Sequence, residues 1–132
     1  MVKPFLSVII PVFNEQTRIM ATLDKMLAFL KVQTYTWEVL VVDDGSTDDT
    51  VPLIKERLKG NFDVNLMTGE HKGKGWAVRQ GMLKARGLYR FMCDADLAMP
   101  IEGLQLFLKE ISLGQDIAVS YTHLTLPTIL LV

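Results

Sequence analysis

A single cysteine in 132 residues leaves Cys93 without a partner for an internal disulfide, and that scarcity fits a reducing compartment. Charge of either sign is not in excess: the formal net charge is -1, which argues against a broad role on nucleic acid or on a membrane surface. Long hydrophobic runs are also missing, since none reaches the roughly 18 to 20 residues of a membrane-spanning helix. No signal-peptide pattern opens the chain, so a soluble cytoplasmic domain is expected, at most peripheral to the cytoplasmic face of a membrane. Repeats, linkers and low-complexity stretches are lacking too. What is present is apolar: 49% of the residues are hydrophobic, enough for one core and too many for a disordered chain.

The charge that exists is segregated. Asp43, Asp44, Asp48 and Asp49 crowd one short stretch, whereas Lys72, Lys74, Arg79, Lys84, Arg86 and Arg90 follow one another with no acid among them before Asp94. Such a basic stretch suggests a local anion site.

Hydrophobic patterning alternates between two periods. Residues 7–12 (SVIIPV), 37–42 (WEVLVV), 63–67 and 89–93 read as buried strands, and residues 117–121 as a fifth. Between the first two, Ile19, Leu23, Met26, Leu27 and Leu30 recur at helical spacing, with Asn14 expected to cap the helix. The stretch DDGSTDDT supplies a turn at Gly45 and capping candidates in Ser46, Thr47 and Asp48 for a helix carrying Val51, Ile54 and Leu58. Pro52 fits there because it falls in the first turn. Ala77, Gly81 and Ala85 form a small-residue stripe on a helix over 75–86, suited to lying close against a sheet, and 101–111 reads as a further helix. Strands alternating with helices in this way predict an α/β fold, a doubly wound and mostly parallel sheet with helices on both faces.

In such sheets ligands sit beyond the carboxyl ends of the strands. Residues 11–15, 43–46 and 94–96 all follow strand ends, so three polar clusters far apart in sequence are expected along one rim. Two carboxylates at Asp94 and Asp96, one residue apart, repel unless something offsets them. A divalent cation together with a phosphate-bearing ligand does so, and hard oxygen donors favour Mg2+ or Mn2+. Zinc would call for histidine or cysteine ligands that this rim lacks.

The stretches SVIIPVFNE, VVDDGSTDDT, GKGWAVRQGMLKARG and DADL stand in the order and approximate spacing of family 2 glycosyltransferases of the GT-A fold. The chain therefore resembles that family over residues 5 to about 119. GKG followed by DADLAMPIEGL looks most like the branch that makes polyprenyl- or dolichyl-phosphate sugars. The resemblance implies a Rossmann-like GT-A half that binds a nucleotide sugar, over residues 1–119. It also implies metal-dependent transfer of a sugar from a UDP- or GDP-sugar, with inversion, to a lipid phosphate. Carried over by position, Pro11, Phe13 and Glu15 line the nucleotide pocket. Asp43 and Asp44 match the acidic pair that contacts base and ribose, and Lys74 lies near the nucleotide or diphosphate. Asp94 and Asp96 match the DXD motif, with Asp96 as direct metal ligand and Asp94 as ribose or metal contact. A lipid phosphate acceptor is already ionised at neutral pH and needs little general base.

Residues 120–132 do not continue the family pattern, and SYTHLTLPT has the look of a translated adapter remnant. A truncated reading frame with a non-native or disordered tail is expected there, with residues 122–132 packing poorly. The alternative to a complete enzyme is accordingly a truncated nucleotide-sugar-binding fragment without turnover. Rivals from other classes fit less well. A phosphoacceptor receiver domain would need a matching lysine and hydroxyl at strand ends, and a DxDxT phosphatase would need threonine where Ala98 stands. His71, Trp76 and Cys93 read as turn, packing and core residues respectively, and Asp48 and Asp49 as helix-start residues.

Overall fold

The computed structural model describes residues 3–61, 63–96, 101–112, 117–119 and 128–131. Strands β1 (Leu6–Val12), β2 (Trp37–Asp43), β3 (Val64–Thr68) and β4 (Tyr89–Met92) alternate with helices α1 (Ile19–Lys31), α2 (Thr50–Arg57), α3 (Lys74–Lys84) and α4 (Ile101–Ser112), followed by β5 (Ile117–Val119) and β6 (Thr128–Leu131). The sheet order is β3-β2-β1-β4-β6-β5. Pairs β1/β2, β1/β4 and β2/β3 are parallel, as the alternation predicts.

All seven residues of β1 are buried, which is why this strand reads as an unbroken apolar run rather than an alternating one: helices cover both faces. Its side chains part by the two-residue period of a strand. Leu6, Val8, Ile10 and Val12 join Ile19, Leu23, Met26, Leu27 and Leu30 of α1, Ile54 of α2, and Leu104 and Phe107 of α4 in one core. Ile9 turns to the opposite face, where Leu40, Val42, Ala77 and Ala85 form a smaller core under α3. The small-residue stripe explains the close seat of α3. A Cβ on Gly81 would collide with Ile9 Cγ2. Full burial of each large side chain on the inner face of α1 contributes about 1.5–3 kcal/mol relative to exposure.

Three details differ from the local sequence reading. Asn14 does not cap α1. It sits at φ 50 and reaches across to the loop after β2, while Arg18 takes the N-cap position without a side-chain cap. Arg86, part of the basic stretch read as a local anion site, turns instead to an acid of the fold: its amide and guanidinium reach Glu38, at 2.7 Å and 3.3 Å. Glu38 itself is buried on β2 and accepts from the Ser7 hydroxyl at 2.6 Å. This network closes the amino end of the sheet, opposite the candidate site. Finally, residues 128–131 lie within the expected tail. They form β6, antiparallel to both β4 and β5, so the fifth strand does not lie beside the fourth. Residues 97–100, 120–127 and 132, which include much of the expected tail, lie outside the described residues.

Among the described residues, no helix is long and apolar enough to cross a membrane.

Candidate functional site

From β1 the chain crosses to β2 on one side, and after β3 it returns to place β4 on the other side of β1; a cavity of about 310 Å³ opens above the carboxyl ends of these strands. This is the switch point where ligands enter doubly wound sheets. Pro11, Val12, Phe13, Glu15, Asp44, His71, Lys74, Ala77, Asp94, Ala95 and Asp96 line it. Seven of the eight residues singled out above as site candidates are thus brought together. Asp43 is not on the lining.

The loops that carry these side chains are tied to one another rather than capped separately. Asp43 is buried and accepts from the Gly45 and Ser46 amides at 3.1 Å and 3.0 Å and from the Ser46 hydroxyl at 2.5 Å. That hydroxyl in turn accepts from the Asn14 amide at 2.8 Å. The Asn14 side chain accepts from the amides of Thr47 and Asp48, and the Glu15 amide donates to Thr50 Oγ1 at 2.8 Å. Asp48 accepts from the Thr50 amide at 3.0 Å, but the N-cap of α2 is Asp49, without a side-chain cap, so none of the expected candidates Ser46, Thr47 and Asp48 takes that position.

Asp44 does something that no local reading could show. Its carboxylate, 4% exposed, accepts from the amides of Lys72 at 2.7 Å and Gly73 at 2.8 Å, and from His71 Nδ1 at 2.9 Å. Gly73 is the N-cap of α3. Asp44 therefore supplies negative charge and acceptors at the positive end of a helix 30 residues downstream of it in sequence, a favourable arrangement for both. Gly45 sits at φ 78, and a Cβ there would strike the His71 backbone amide; glycine is required for this approach.

His71, read from sequence as a turn residue, stacks on Phe13 with ring centroids 4.2 Å apart and planes at 25°. An aromatic pair thus stands at the β2 side of the cavity. The β4 side is charged. Lys74 Nζ pairs with Asp94 Oδ1, and Arg18 binds Glu15 Oε2 at 2.7 Å while standing 4.0 Å from Asp96 Oδ2. The repulsion within the DAD stretch is offset here by these two cations. Both lie where a cationic partner of the carboxylates belongs. Just before them, burial and then the Asp94 and Asp96 charges push the Cys93 thiol up to about 12, so it is a protonated core residue at neutral pH.

No group of three or more histidine, cysteine, aspartate or glutamate side chains among the described residues is close enough to cage a metal ion. Asp94 and Asp96 offer carboxylate oxygens from two residues only. That donor set fits Mg2+ or Mn2+, which bind through one or two carboxylates and complete their shells with water and phosphate oxygens.

A doubly wound sheet with an acid-rimmed cavity at its switch point defines an α/β fold of the GT-A type. Residues 7–124 match the model of Glycosyl transferase family 2, and the chain belongs to that family. The dolichyl-phosphate beta-glucosyltransferase of Saccharomyces cerevisiae is 40% identical over 115 residues, covering 82% of this chain and 34% of the relative. The Drosophila melanogaster protein of the same name is 41% identical over 118 residues, covering 81% and 36%. The chain thus spans about a third of the length of these relatives. Among solved structures, the mannosyltransferase PcManGT from Pyrobaculum calidifontis, in complex with GDP-Man and Mn2+, aligns with a TM-score of 0.62 and 31% identity over 72% of this chain and 28% of that one. S. aureus TarS 1–349 in complex with UDP-GlcNAc gives a TM-score of 0.64 at 24% identity, over 85% of this chain and 32% of that one, a likeness of fold. Strand β6 lies wholly beyond the residues matched by the family model.

Proposed function

We propose that residues 1–119 form the donor-binding unit of an inverting, metal-dependent glycosyltransferase that moves a sugar from a nucleoside diphosphate sugar to a polyprenyl or dolichyl phosphate at the cytoplasmic face of a membrane. The observation that carries this reading is the convergence of Glu15, Asp44, Lys74, Asp94 and Asp96 on one cavity at the switch point of the sheet. Relatives named for dolichyl-phosphate β-glucosyl transfer favour a glucosyl donor. A β-linked product from an α-linked donor requires inversion.

The contrast between the aromatic and the charged end of the cavity supports one orientation of the donor. Its base lies toward Phe13 and His71, and its diphosphate toward Lys74, Asp94 and Asp96, so the nucleotide crosses over the end of β1. Asp44 acts from behind, holding His71 and the 71–74 loop in place, and Asp43 acts one step further back through Ser46. Asp96, with Asp94 beside it, would hold Mg2+ or Mn2+, which stabilises charge developing on the departing β-phosphate. Lys74, paired with Asp94 at the same end of the cavity, would present its ammonium group to the diphosphate. The acceptor phosphate attacks already ionised, so a general base is not needed on this chain.

Isothermal calorimetry with UDP-glucose and GDP-mannose, each with and without Mn2+, tests the reading. We expect binding of one donor that weakens at least about tenfold when the ion is removed. No binding of either donor under any condition would refute it. Metal-dependent binding without product, when a dolichyl phosphate is supplied, would support the fragment without turnover.

A further inference from the structure

We propose that Thr22 is a positioning residue for the Asp94/Asp96 pair: through the carbonyl of Ala95 it fixes the loop from which both carboxylates enter the cavity, and so sets the affinity for a divalent ion. The inference rests on the donor-and-ion reading above. It adds a residue that lies outside the cavity lining and in none of the motifs.

Thr22 stands on the apolar face of α1, buried among Ile19, Leu23 and Met26. A hydroxyl in such a place must find an acceptor. Threonine inside a helix ordinarily turns its hydroxyl to the carbonyl one turn back, which here belongs to Arg18. Arg18 O is used by the Thr22 amide at 3.0 Å, while the Thr22 hydroxyl donates across the core to Ala95 O, 73 residues away in sequence. Ala95 is itself 4% exposed, with its methyl in the main core. Its two neighbours are the carboxylates of the DAD stretch, and both line the cavity.

The loop is therefore pinned at two points. At its start the Cys93 amide donates to Ile9 O on β1 at 2.8 Å. At its middle the Ala95 carbonyl is held by α1. Arg18 lies one helical turn before Thr22, on the same side of the helix, and its guanidinium approaches Asp96. One turn at the start of α1 thus addresses the DAD stretch twice, by a buried hydrogen bond to its backbone and by a cation beside its second carboxylate. Groups that orient metal ligands without touching the ion typically change affinity by about 10–100-fold when removed. Thr22 has the geometry of such a group.

Thr22→Val keeps the shape and removes the donor; Thr22→Ser keeps the donor. Free Mn2+ measured by electron paramagnetic resonance at saturating UDP gives the ion affinity, and calorimetry without metal gives the affinity for UDP alone. Thr22→Val should bind Mn2+ about 10–100-fold more weakly, while Thr22→Ser stays within about threefold of the wild type and metal-free UDP binding is unchanged in both. Where Thr22→Val does not fold, as judged by circular dichroism, Thr22→Ala takes its place in the same comparison. Wild-type ion affinity in Thr22→Val, or equal losses in the valine and serine variants, would overturn the role of the hydroxyl and leave the donor-and-ion reading intact. A wild-type chain that binds Mn2+ no differently from Asp96→Ala would instead overturn the donor-and-ion reading, and this inference with it.

Discussion

Asp96→Ala is expected to abolish the Mn2+ dependence of nucleotide binding. Asp96 is the exposed member of the DAD pair, at the cavity rim, with Arg18 4.0 Å from its Oδ2. Its backbone is held through the preceding residue, so removing the carboxylate would take away the proposed ion ligand without dismantling the loop. Loss of the Mn2+ increment should exceed about 100-fold in ion affinity, the upper end of what even an outer-shell change produces. Protein stability should stay within about 0.5 kcal/mol of the wild type, as for most surface substitutions. Asp24 provides the control. It is a half-exposed carboxylate paired with Arg57 on a different face, and a surface pair of this kind contributes about 0–1 kcal/mol. Asp24→Asn should leave nucleotide and ion binding unaltered. A Mn2+ response that persists in Asp96→Ala would move the ion site elsewhere.

Asp44→Ala should do the opposite, damaging fold and site together. The Asp44 carboxylate is almost fully buried and is the acceptor for two consecutive amides at the start of α3 as well as for His71. Alanine leaves those donors to water, since His71 and Lys72 are exposed and Gly73 is half-buried, so the cost stays below the about 1–3 kcal/mol of each fully buried unsatisfied group, and it removes a favourable charge from a helix start. A loss of about 1–2 kcal/mol in a urea titration follows, with nucleotide affinity falling because His71 and the loop leading to Lys74 are no longer held. Asp44→Asn should fall between alanine and wild type, since the amide oxygen still accepts while its nitrogen faces donors. Unchanged midpoints and affinities in Asp44→Ala would show that the 71–74 loop is held by something other than this carboxylate.

These two aspartates show what could be read in the chain and what could not. Strands β1 and β2 were legible because a strand covered on both faces must be apolar at nearly every position, and α1 and α3 because their buried residues keep helical spacing. The grouping of residues 11–15, 44 and 94–96 followed from topology alone, since parallel strands deliver their carboxyl ends to one side. Partners distant in sequence left no local mark. Asn14 has the composition of a helix cap, yet its side chain bonds amides of Thr47 and Asp48. Asp43 and Asp44 look alike as a pair, yet successive residues at a strand end point to different sides. One shapes its own turn, and the other reaches the start of α3. His71 gave no signal beyond its place beside a basic loop, because its value comes from Phe13, 58 positions earlier in the chain. Thr22 lies on an apolar helix face, and its acceptor at Ala95, 73 residues away, leaves no mark near it in sequence. The pairing of β6 with β4 and β5 was likewise invisible, since a short apolar segment carries no sign of the strand it will join.

The measurement that bears most directly on the site is paramagnetic broadening of backbone amide signals by Mn2+ in the presence of UDP. The ion should erase the signals of residues 93–96 first, with Glu15 and residues 73–75 next, and leave those of Asp24, Lys31 and Asn61 on a distant face sharp. Sharp signals at Asp94 and Asp96 under saturating Mn2+ and UDP, or broadening centred on Asp24 and Asp63 instead, would contradict it.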